Sequence, residues 1–318
     1  MNDAQKFQRL AKWRRVKRIG LMIVIAVGVL MVATPLAYKL TQSKAAKESN
    51  QISAILEATN TMMSPNIHVS DRVLSNTTIF GGTVMSHRYK SIEGQRIPWS
   101  TSQGDYSWLP GASGMSDGTI DETETKQGMV SFDRETQRRI PEFFNLAVKK
   151  PNLKPTQELK QVSQAKGAVA EVAITFNRPM TSQQILSKLP NKLHATWYWA
   201  GVTGKMDPTS FQNHLVGLNA EIPQGTTTPK LTADDYREFK SAVKKVGQLG
   251  LDWRYNGVSV TKGSRTYIRQ NPQLSTAKFS GIIVTGRTED FKALNQATWI
   301  AASSLGYSAP RDPVQLNQ

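Results

Sequence analysis

Hydrophobic positions are concentrated in one long run near the start of the chain. Residues 19–38 read IGLMIVIAVGVLMVATPLAY and contain no charged side chain. At about 1.5 Å of rise per residue, such a helix reaches about 30 Å, the thickness of a bilayer's hydrocarbon core. This pattern predicts a transmembrane helix over 19–38. Because no other stretch is both apolar and long enough, we expect a single-pass membrane protein.

The basic residues around this run predict its orientation. Those before the run are Lys6, Arg9, Lys12, Arg14, Arg15, Lys17 and Arg18, and those soon after it are Lys39, Lys44 and Lys47. Basic residues stay on the cytoplasmic side, so the N-terminus is expected inside the cell and the C-terminal region outside. A cleaved secretory signal is the alternative. The run is longer than the 7–15 apolar residues typical of a signal, and no A-x-A follows it.

Residues 1–18 form a predicted basic cytoplasmic arm. Arg14, Arg15, Lys17 and Arg18 are its topology collar, next to the span. Phe7, Leu10 and Trp13 lie at mostly helical spacing among the basic residues. One interpretation is a simple collar with Trp13 at the membrane interface. The other is a short helix that docks a cytoplasmic partner through these three apolar side chains.

Beyond the span, the polar segment 39–60 has Ile52, Ile55 and Leu56 at helical spacing, which predicts a helical stalk. Residues 61–150 are predicted to be a β-rich extracytoplasmic region, and 151–167 a proline-containing linker. Within the β-rich region, residues 110–125 predict an exposed loop. Its acidic residues Asp121, Glu122 and Glu124 lack an EF-hand pattern, so no metal site is predicted there.

The last part of the chain, 168–307, has the pattern of an α+β domain, followed by a tail over 308–318. The predicted strands cover 169–176, 193–201 and 278–288. Three helices are predicted: one capped by Thr181, one with a Thr232–Asp235 capping box, and a final one that starts at Thr288 and carries Phe291, Leu294, Thr298, Ala301 and Leu305 on one side. The predicted fold class is therefore α+β, with one transmembrane helix followed by small-sheet domains and packed helices.

Tryptophan positions suggest which aromatic residues lie in the core. Trp197 and Trp199 alternate with Tyr198 along a predicted strand, so the two tryptophans share one sheet face and the tyrosine faces the other side. Core packing is the favoured interpretation, and a ligand platform is the alternative. Trp99 and Trp108, in the less regular β-rich region, are expected to be more exposed and are weak binding candidates.

Composition limits the remaining possibilities. The chain has no cysteine, which excludes disulfides, thiol nucleophiles and cysteine zinc sites, and an exported protein of this kind suits a Gram-positive bacterium. The net charge is +16, of which the first 18 residues contribute +6, so the rest carries +10. This charge would attract anionic wall polymers, although dispersed surface lysines that keep the domain soluble explain it equally well.

Catalytic motifs are not convincing. None of the four histidines has metal-ligand spacing with another, and the S-x-x-K matches at Ser163, Ser241 and Ser275 lack K-T-G and S-D-N companions. The sequence GVTGK at 201–205 is too short for a phosphate loop. We therefore predict a protein that is not an enzyme and that has no cofactor or metal site.

The basic N-terminal span, the stretch VAEVAITFNRPMTSQQILSKLP and the later ATWYWAG together resemble the bacterial sigma factor regulators. The most specific element is Trp197-Tyr198-Trp199, and the upstream RRIPEFFNLAV is also similar. The resemblance implies a membrane-bound anti-sigma factor. Such a protein holds an extracytoplasmic-function sigma factor at the membrane and releases it when the outer domain senses envelope stress.

One departure from the family pattern leaves two versions of this function open. Only 18 residues precede the span, whereas a specific interface needs about 20 residues on each side. Either Phe7, Leu10 and Trp13 dock the sigma factor directly, or a second membrane regulator binds it and this chain is a sensor or accessory subunit. No direct nucleic-acid contact is expected. A wall-facing binding or assembly protein that interacts with anionic polymers is the alternative function.

Overall fold

The computed structural model describes residues 3–109, 114–117, 120–126, 128–224, 226, 228–255 and 257–311, and it has the predicted α+β class. The helices are α1 Asp3–Met62, α2 Leu159–Gln164, α3 Ser182–Leu186, α4 Ala233–Gln248 and α5 Val260–Gln270. The strands are β1 His68–Ser75, β2 Gly81–Ile92, β3 Gln95–Ser107, β4 Met115–Asp117, β5 Ile120–Thr125, β6 Gly128–Asp133, β7 Ala168–Thr181, β8 His194–Trp199, β9 Gly217–Asn219, β10 Arg254–Tyr255, β11 Val258–Ser259, β12 Lys278–Arg287 and β13 Ile300–Pro310.

Helix α1 is continuous over 60 residues, which corresponds to about 90 Å at 1.5 Å per residue. Its apolar part, 19–38, is exposed along its whole length, and Pro35 lies inside the helix without ending it. Within the part of the chain that the structure describes, α1 is the one helix long and apolar enough to be a candidate membrane span. The segment predicted as a stalk belongs to the same helix. Its outer half does not stand free, because Ile52, Ile55 and Leu56 are buried.

The first sheet is antiparallel, in the order β1-β2-β3-β4, and it packs against the outer half of α1. The contact is close at Gly104, where a Cβ atom would lie 2.5 Å from Cγ2 of Ile52. Strands β5 and β6 form a separate hairpin. The exposed loop predicted for 110–125 is therefore partly wrong, since 115–117 and 120–125 are strands. The side chains of β5 are mostly exposed as expected, but its backbone pairs with β6, and 110–113 and 118–119 lie outside the described residues.

The second sheet is antiparallel, in the order β13-β7-β12-β8-β9. Strand β8, residues 169–176 of β7 and the central part of β12 are buried, and these strands confirm the three predicted ones. Helices α4 and α5 contribute Tyr236, Phe239 and Tyr267 to the core on one face of this sheet. Both predicted caps are confirmed, because Thr181 and Thr232 each form a complete capping box. The sheet and its helices form the larger core of the protein.

The predicted final helix is wrong. Only Thr288–Leu294 is helical, as a short 3₁₀ segment, and Ile300–Pro310 forms strand β13. Ala301 and Leu305, assigned to a helical stripe, lie in this strand. β13 pairs with the edge of β7, where its backbone completes the ladder, and this tertiary pairing outweighs local helical spacing. Residues 308–310 of the predicted tail belong to the same strand.

Segment 151–167, predicted as a linker, contains ordered structure that packs on this edge. Leu153, Leu159 and Val162 are buried, and the last two belong to α2. The Thr156 hydroxyl donates to the carbonyl oxygen of Ser303 at 2.8 Å. The segment therefore covers part of the second sheet next to β13.

Candidate functional site around the long helix

The arm residues singled out by the sequence lie on the first turns of α1. Phe7, Leu10 and Trp13 are exposed, with 78%, 55% and 59% of their surface accessible. The collar residues Arg14, Arg15, Lys17 and Arg18 are exposed as well. The Lys17 ammonium lies 3.5 Å from the centroid of the Trp13 ring. The helical arrangement is thus present, and the docking role of the three apolar side chains stays a prediction.

The Trp197-Tyr198-Trp199 motif lies in the core of the second sheet. Trp197 and Trp199 contact the Phe143 ring, with centroid distances of 5.5 and 5.0 Å. Tyr198 is on the opposite face and contacts Phe279 at 5.2 Å. All three motif residues are at most 2% exposed, which confirms core packing with the predicted alternation.

Trp99 is buried, so its predicted exposure is wrong. It lies on β3 in a small cluster with Ile67 and Ile140, and only 3% of its surface is accessible. Trp108 is half-buried, and its indole Nε1 donates to the carbonyl oxygen of Ile79 at 2.9 Å. The irregular sequence around Trp99 suggests exposure, but the strand continues through Pro98 and the Trp99 side chain packs in the core.

A buried ion pair joins the two sheets. Lys90, on β2, places its Nζ 2.9 and 3.0 Å from the carboxylate oxygens of Glu171 on β7, and both side chains are 0% exposed. Asn66, just after α1, donates from Nδ2 to the same carboxylate at 2.8 Å. Burial lowers the pKa of Lys90, while the charge and hydrogen bonds of Glu171 oppose that shift.

A second polar contact joins the sheets near the β2–β3 turn. Nδ1 of His194 lies 3.0 Å from Oε1 of Glu93, and the Thr285 hydroxyl donates to the same oxygen at 2.8 Å. The hydrogen bond with Glu93 raises the pKa of His194, and partial burial opposes this effect. Asn219, on β9, also donates to the carbonyl oxygen of Ile67 at 3.1 Å. The two sheets are therefore held together by several polar contacts.

The outer end of α1 lies between these two parts. Ala58, Met62 and Met63 belong to the core that α4 also enters, and Ile52 packs on β3. The Lys245 ammonium of α4 lies 3.4 Å from the Glu57 carboxylate of α1. Any change in how the two sheets are arranged must therefore change the surroundings of this helix end.

A cleft of about 360 Å³ opens where α1, the first sheet and α4 meet. Its lining residues are Glu57, Asn60, Thr61, Ile67, His68, Val69, Arg72, Tyr89, Leu218, Asn219, Glu221, Asp235 and Glu238. Four of these are acidic. Burial, followed by the charge of Arg96, lowers the pKa of His68 to about 4, so this imidazole is neutral near pH 7. Burial and the nearby Asp235 and Glu238 raise the pKa of Glu221.

This acidic cleft does not have the arrangement of a metal centre. Among the described residues, no group of three or more His, Asp or Glu side chains is placed to hold a metal ion. The His68 ring instead stacks on Tyr89, with a centroid distance of 5.4 Å. The cleft therefore combines an aromatic wall with carboxylates contributed by α1, by α4 and by the segment after β9.

Comparison with known families decides the identity of the two parts. The model described as sigma factor regulator N-terminal matches residues 5–97, and the one described as sigma factor regulator C-terminal matches residues 159–307. This chain belongs to the sigma factor regulator family. The resemblance based on the basic and apolar N-terminal segment and the Trp-Tyr-Trp strand is thereby confirmed, and the protein is a regulator of a sigma factor. Searches of curated proteins and of solved structures gave no match.

The family assignment shows that the buried polar contacts join the N-terminal family region to the C-terminal one. Lys90 lies in the N-terminal family region and Glu171 in the C-terminal one, and the same holds for Glu93 and His194. Sequence reasoning missed these pairs because their partners are far apart in the chain. The available signal was Glu171, a carboxylate in an otherwise apolar strand, which requires a buried partner.

Proposed function

We propose that this sigma factor regulator is anchored in the membrane by α1 and transmits an envelope signal along that helix to an extracytoplasmic-function sigma factor. The observation that carries the proposal is the continuity of α1. One helix contains the exposed arm residues Phe7 to Trp13, the apolar run 19–38 and the buried outer end from Ile52 to Met62. A displacement at the outer end therefore has a direct route to the arm.

The proposed orientation has the arm in the cytoplasm and both sheets outside the cell. It rests on the basic residues, seven of which precede the apolar run while three follow it closely. In this arrangement the cleft faces the envelope, and the exposed Phe7, Leu10 and Trp13 face the compartment in which sigma factors act.

The proposed mechanism is a shift between two arrangements of the outer region. A ligand changes this equilibrium only if it binds one arrangement more tightly than the other. The cleft is a suitable place for such a ligand because its walls come from α1, the first sheet, β9 and α4. An occupant would contact Glu57 and Thr61 of α1 directly, so its binding would favour one position of that helix.

On the inner side, we propose that the sigma factor binds the arm directly. Phe7, Leu10 and Trp13 present apolar surface on a helix whose other side chains there are mostly basic, which suits an amphipathic helix in a groove with an acidic rim. The three side chains supply the apolar anchors. The surrounding basic residues favour association with an acidic partner.

The test is affinity capture of the tagged full-length protein from solubilised membranes, with the bound proteins identified by mass spectrometry. The variant Phe7→Ala/Leu10→Ala/Trp13→Ala removes the proposed anchors. Its matched control, Leu186→Ala/Ile222→Ala, removes exposed apolar side chains from the C-terminal region. We expect a sigma factor with the wild type and the control, and its loss with the triple variant.

Two outcomes would contradict direct docking. A sigma factor that is captured equally by the triple variant would place its binding site elsewhere. A second membrane protein that is retained by every variant, and that itself holds the sigma factor, would make this chain an accessory sensor.

A further inference from the structure

Exposed apolar residues cluster at one end of the first sheet. We call Ile79, Phe80, Trp108 and Leu109 the apolar tip. Ile79, Phe80 and Leu109 have 61%, 52% and 43% of their surface exposed. Trp108 is half-buried and stacks on Phe80, with a centroid distance of 6.0 Å. Exposed apolar patches of this kind mark interaction surfaces.

Hydrogen bonds to backbone carbonyl oxygens hold this tip in place. The Trp108 amide donates to the Phe80 carbonyl at 3.1 Å, and its indole Nε1 donates to the Ile79 carbonyl at 2.9 Å. The Ser107 hydroxyl donates to the Phe80 carbonyl at 2.9 Å. The turn itself is closed by the Thr78 amide, which donates to the Gly81 carbonyl at 2.7 Å. A hydrogen-bonded turn therefore holds the apolar side chains of the tip in their exposed positions.

The course of β3 determines where the tip lies along α1. At one end of the strand, Trp99 shares a buried cluster with Ile67, which follows the outer end of α1. Further along, Gly104 lies directly against Ile52. Strand β3 therefore runs back along α1 toward the apolar run, and its last residues point to the membrane side.

The distance can be estimated from ideal geometry. At about 3.3 Å per residue of extended chain, Leu109 lies at most about 16 Å beyond Gly104, because β3 itself ends at Ser107. At 1.5 Å per helical residue, the same distance along α1 leads from Ile52 back to about Thr41. The apolar run ends at Tyr38. The tip thus lies about one to two helical turns from the end of the span, next to the lipid headgroups.

We propose that the apolar tip inserts into the headgroup region of the outer leaflet and gives the protein a second contact with the bilayer. Tryptophan and other aromatic side chains are favoured at that depth because one end of the ring meets apolar chains and the other meets water. The exposed Lys39 and Lys44 on α1 lie at the same height and suit the lipid phosphates. The proposal rests on α1 spanning the membrane, as in the proposed function.

Such a contact would fix the first sheet relative to the membrane. Because α1 packs on the same sheet through Ile52, the tip would limit the tilt and rotation of the outer region about the helix. A signal-dependent movement of α1 would then take place relative to a first sheet that the lipid contact holds in position.

The absence of cysteine makes a direct depth measurement possible. Single variants Phe80→Cys and Leu109→Cys of the full chain would carry a spin label in nanodiscs of phosphatidylglycerol and phosphatidylethanolamine that hold one copy each. Leu30→Cys, in the apolar run, is the lipid control. Ile222→Cys is the aqueous control: Ile222 is about as exposed as Phe80 and follows Glu221, which lines the cleft at the outer end of α1. The readout is the ratio of label accessibility to oxygen and to a water-soluble nickel complex.

We expect ratios at positions 80 and 109 that lie between those of the two controls. Ratios equal to that of Ile222→Cys, with Leu30→Cys in lipid, would overturn this inference and leave the membrane anchor intact. A Leu30→Cys label with an aqueous ratio would instead refute the span itself, and with it the proposed function. The single-copy nanodisc ensures that protection of the tip comes from lipid and not from a second copy of the chain.

Discussion

The ammonium group of Lys90 and the carboxylate of Glu171 form a completely buried ion pair, with Nζ 2.9 and 3.0 Å from the two carboxylate oxygens. The pair joins the two regions that family comparison separates. A buried pair of this kind contributes little net stability compared with apolar residues, but the loss of one partner leaves the other charged and unpaired.

Lys90→Met is therefore expected to lower the free energy of unfolding by about 3–5 kcal/mol. Urea denaturation of the detergent-solubilised protein, followed by tryptophan fluorescence, measures this change. The double variant Lys90→Met/Glu171→Gln should recover part of the loss, since the unpaired charge is removed. Asp234→Asn, which breaks the exposed pair with Arg237, should cost at most about 1 kcal/mol. A Lys90→Met protein as stable as the wild type would refute this account of the pair.

Glu142 predicts a pH dependence of stability. It is completely buried, and burial raises its pKa to about 7, although the hydrogen bond from the Ser131 amide at 2.7 Å opposes the shift. At pH values between 4.5, the pKa of this carboxyl in the unfolded chain, and about 7, the folded state binds more protons than the unfolded state. The contribution of Glu142 to the free energy of unfolding is therefore complete below pH 4.5 and is lost as the pH rises through about 7.

The neutral variant Glu142→Gln isolates this effect. Over the interval from about pH 4.5 to about pH 8, the free energy of unfolding of the wild type should fall relative to the variant by at most about 3 kcal/mol. Denaturation midpoints at a series of pH values provide the comparison. A wild-type-to-variant difference that stays constant over this interval would contradict a raised pKa at Glu142.

The hydroxyl groups of Tyr198 and Tyr236 lead to opposite predictions for the stability of their phenylalanine variants. The Tyr198 hydroxyl is buried and has no hydrogen-bond partner among the described residues. Tyr198→Phe should therefore raise the free energy of unfolding by about 1 kcal/mol, because an unpaired buried polar group is removed. The hydroxyl of Tyr236, by contrast, donates to the Asn271 carbonyl at 2.5 Å, so Tyr236→Phe should lower stability by a similar amount. Thermal denaturation of both variants measures the direction of each stability change. A Tyr198→Phe variant less stable than the wild type would disprove the prediction for Tyr198.

Local signals in the sequence were sufficient for much of this fold. The apolar run predicted a helix over 19–38, which lies within α1, and alternation placed Trp197 and Trp199 opposite Tyr198. Thr181 and Thr232 predicted their helices because a capping box is formed by residues three positions apart. These features depend on neighbours in the chain, so one sequence contains them.

Features that depend on distant partners were not predictable in the same way. The pattern of Phe291, Leu294 and Leu305 fits a helix, but 300–310 becomes a strand because β7 offers an unpaired edge. The burial of Trp99 is not visible in the local sequence, since the residues that cover it, Ile67 and Ile140, come from other parts of the chain. Of the site, the sequence indicated the arm residues but not the cleft or the Lys90–Glu171 pair, whose members are 81 positions apart.

The continuity of α1 is the central claim, and it can be altered without touching either end. A Gly-Ser-Gly-Gly insertion between Lys39 and Leu40, both exposed, would interrupt the helix between the span and the outer region. An insertion of four alanines at the same place adds just over one turn and keeps the helix continuous. The two variants add equal length and differ in helix continuity.

The most direct measurement is the transcript profile of a deletion strain complemented with the wild type, the alanine insertion or the glycine-serine insertion. The account predicts that the deletion changes transcription from the promoters of one sigma factor. It also predicts that the wild type and the alanine insertion restore it, and that the glycine-serine insertion does not, although it reaches the membrane in equal amount. Full restoration by the glycine-serine insertion would contradict transmission through α1.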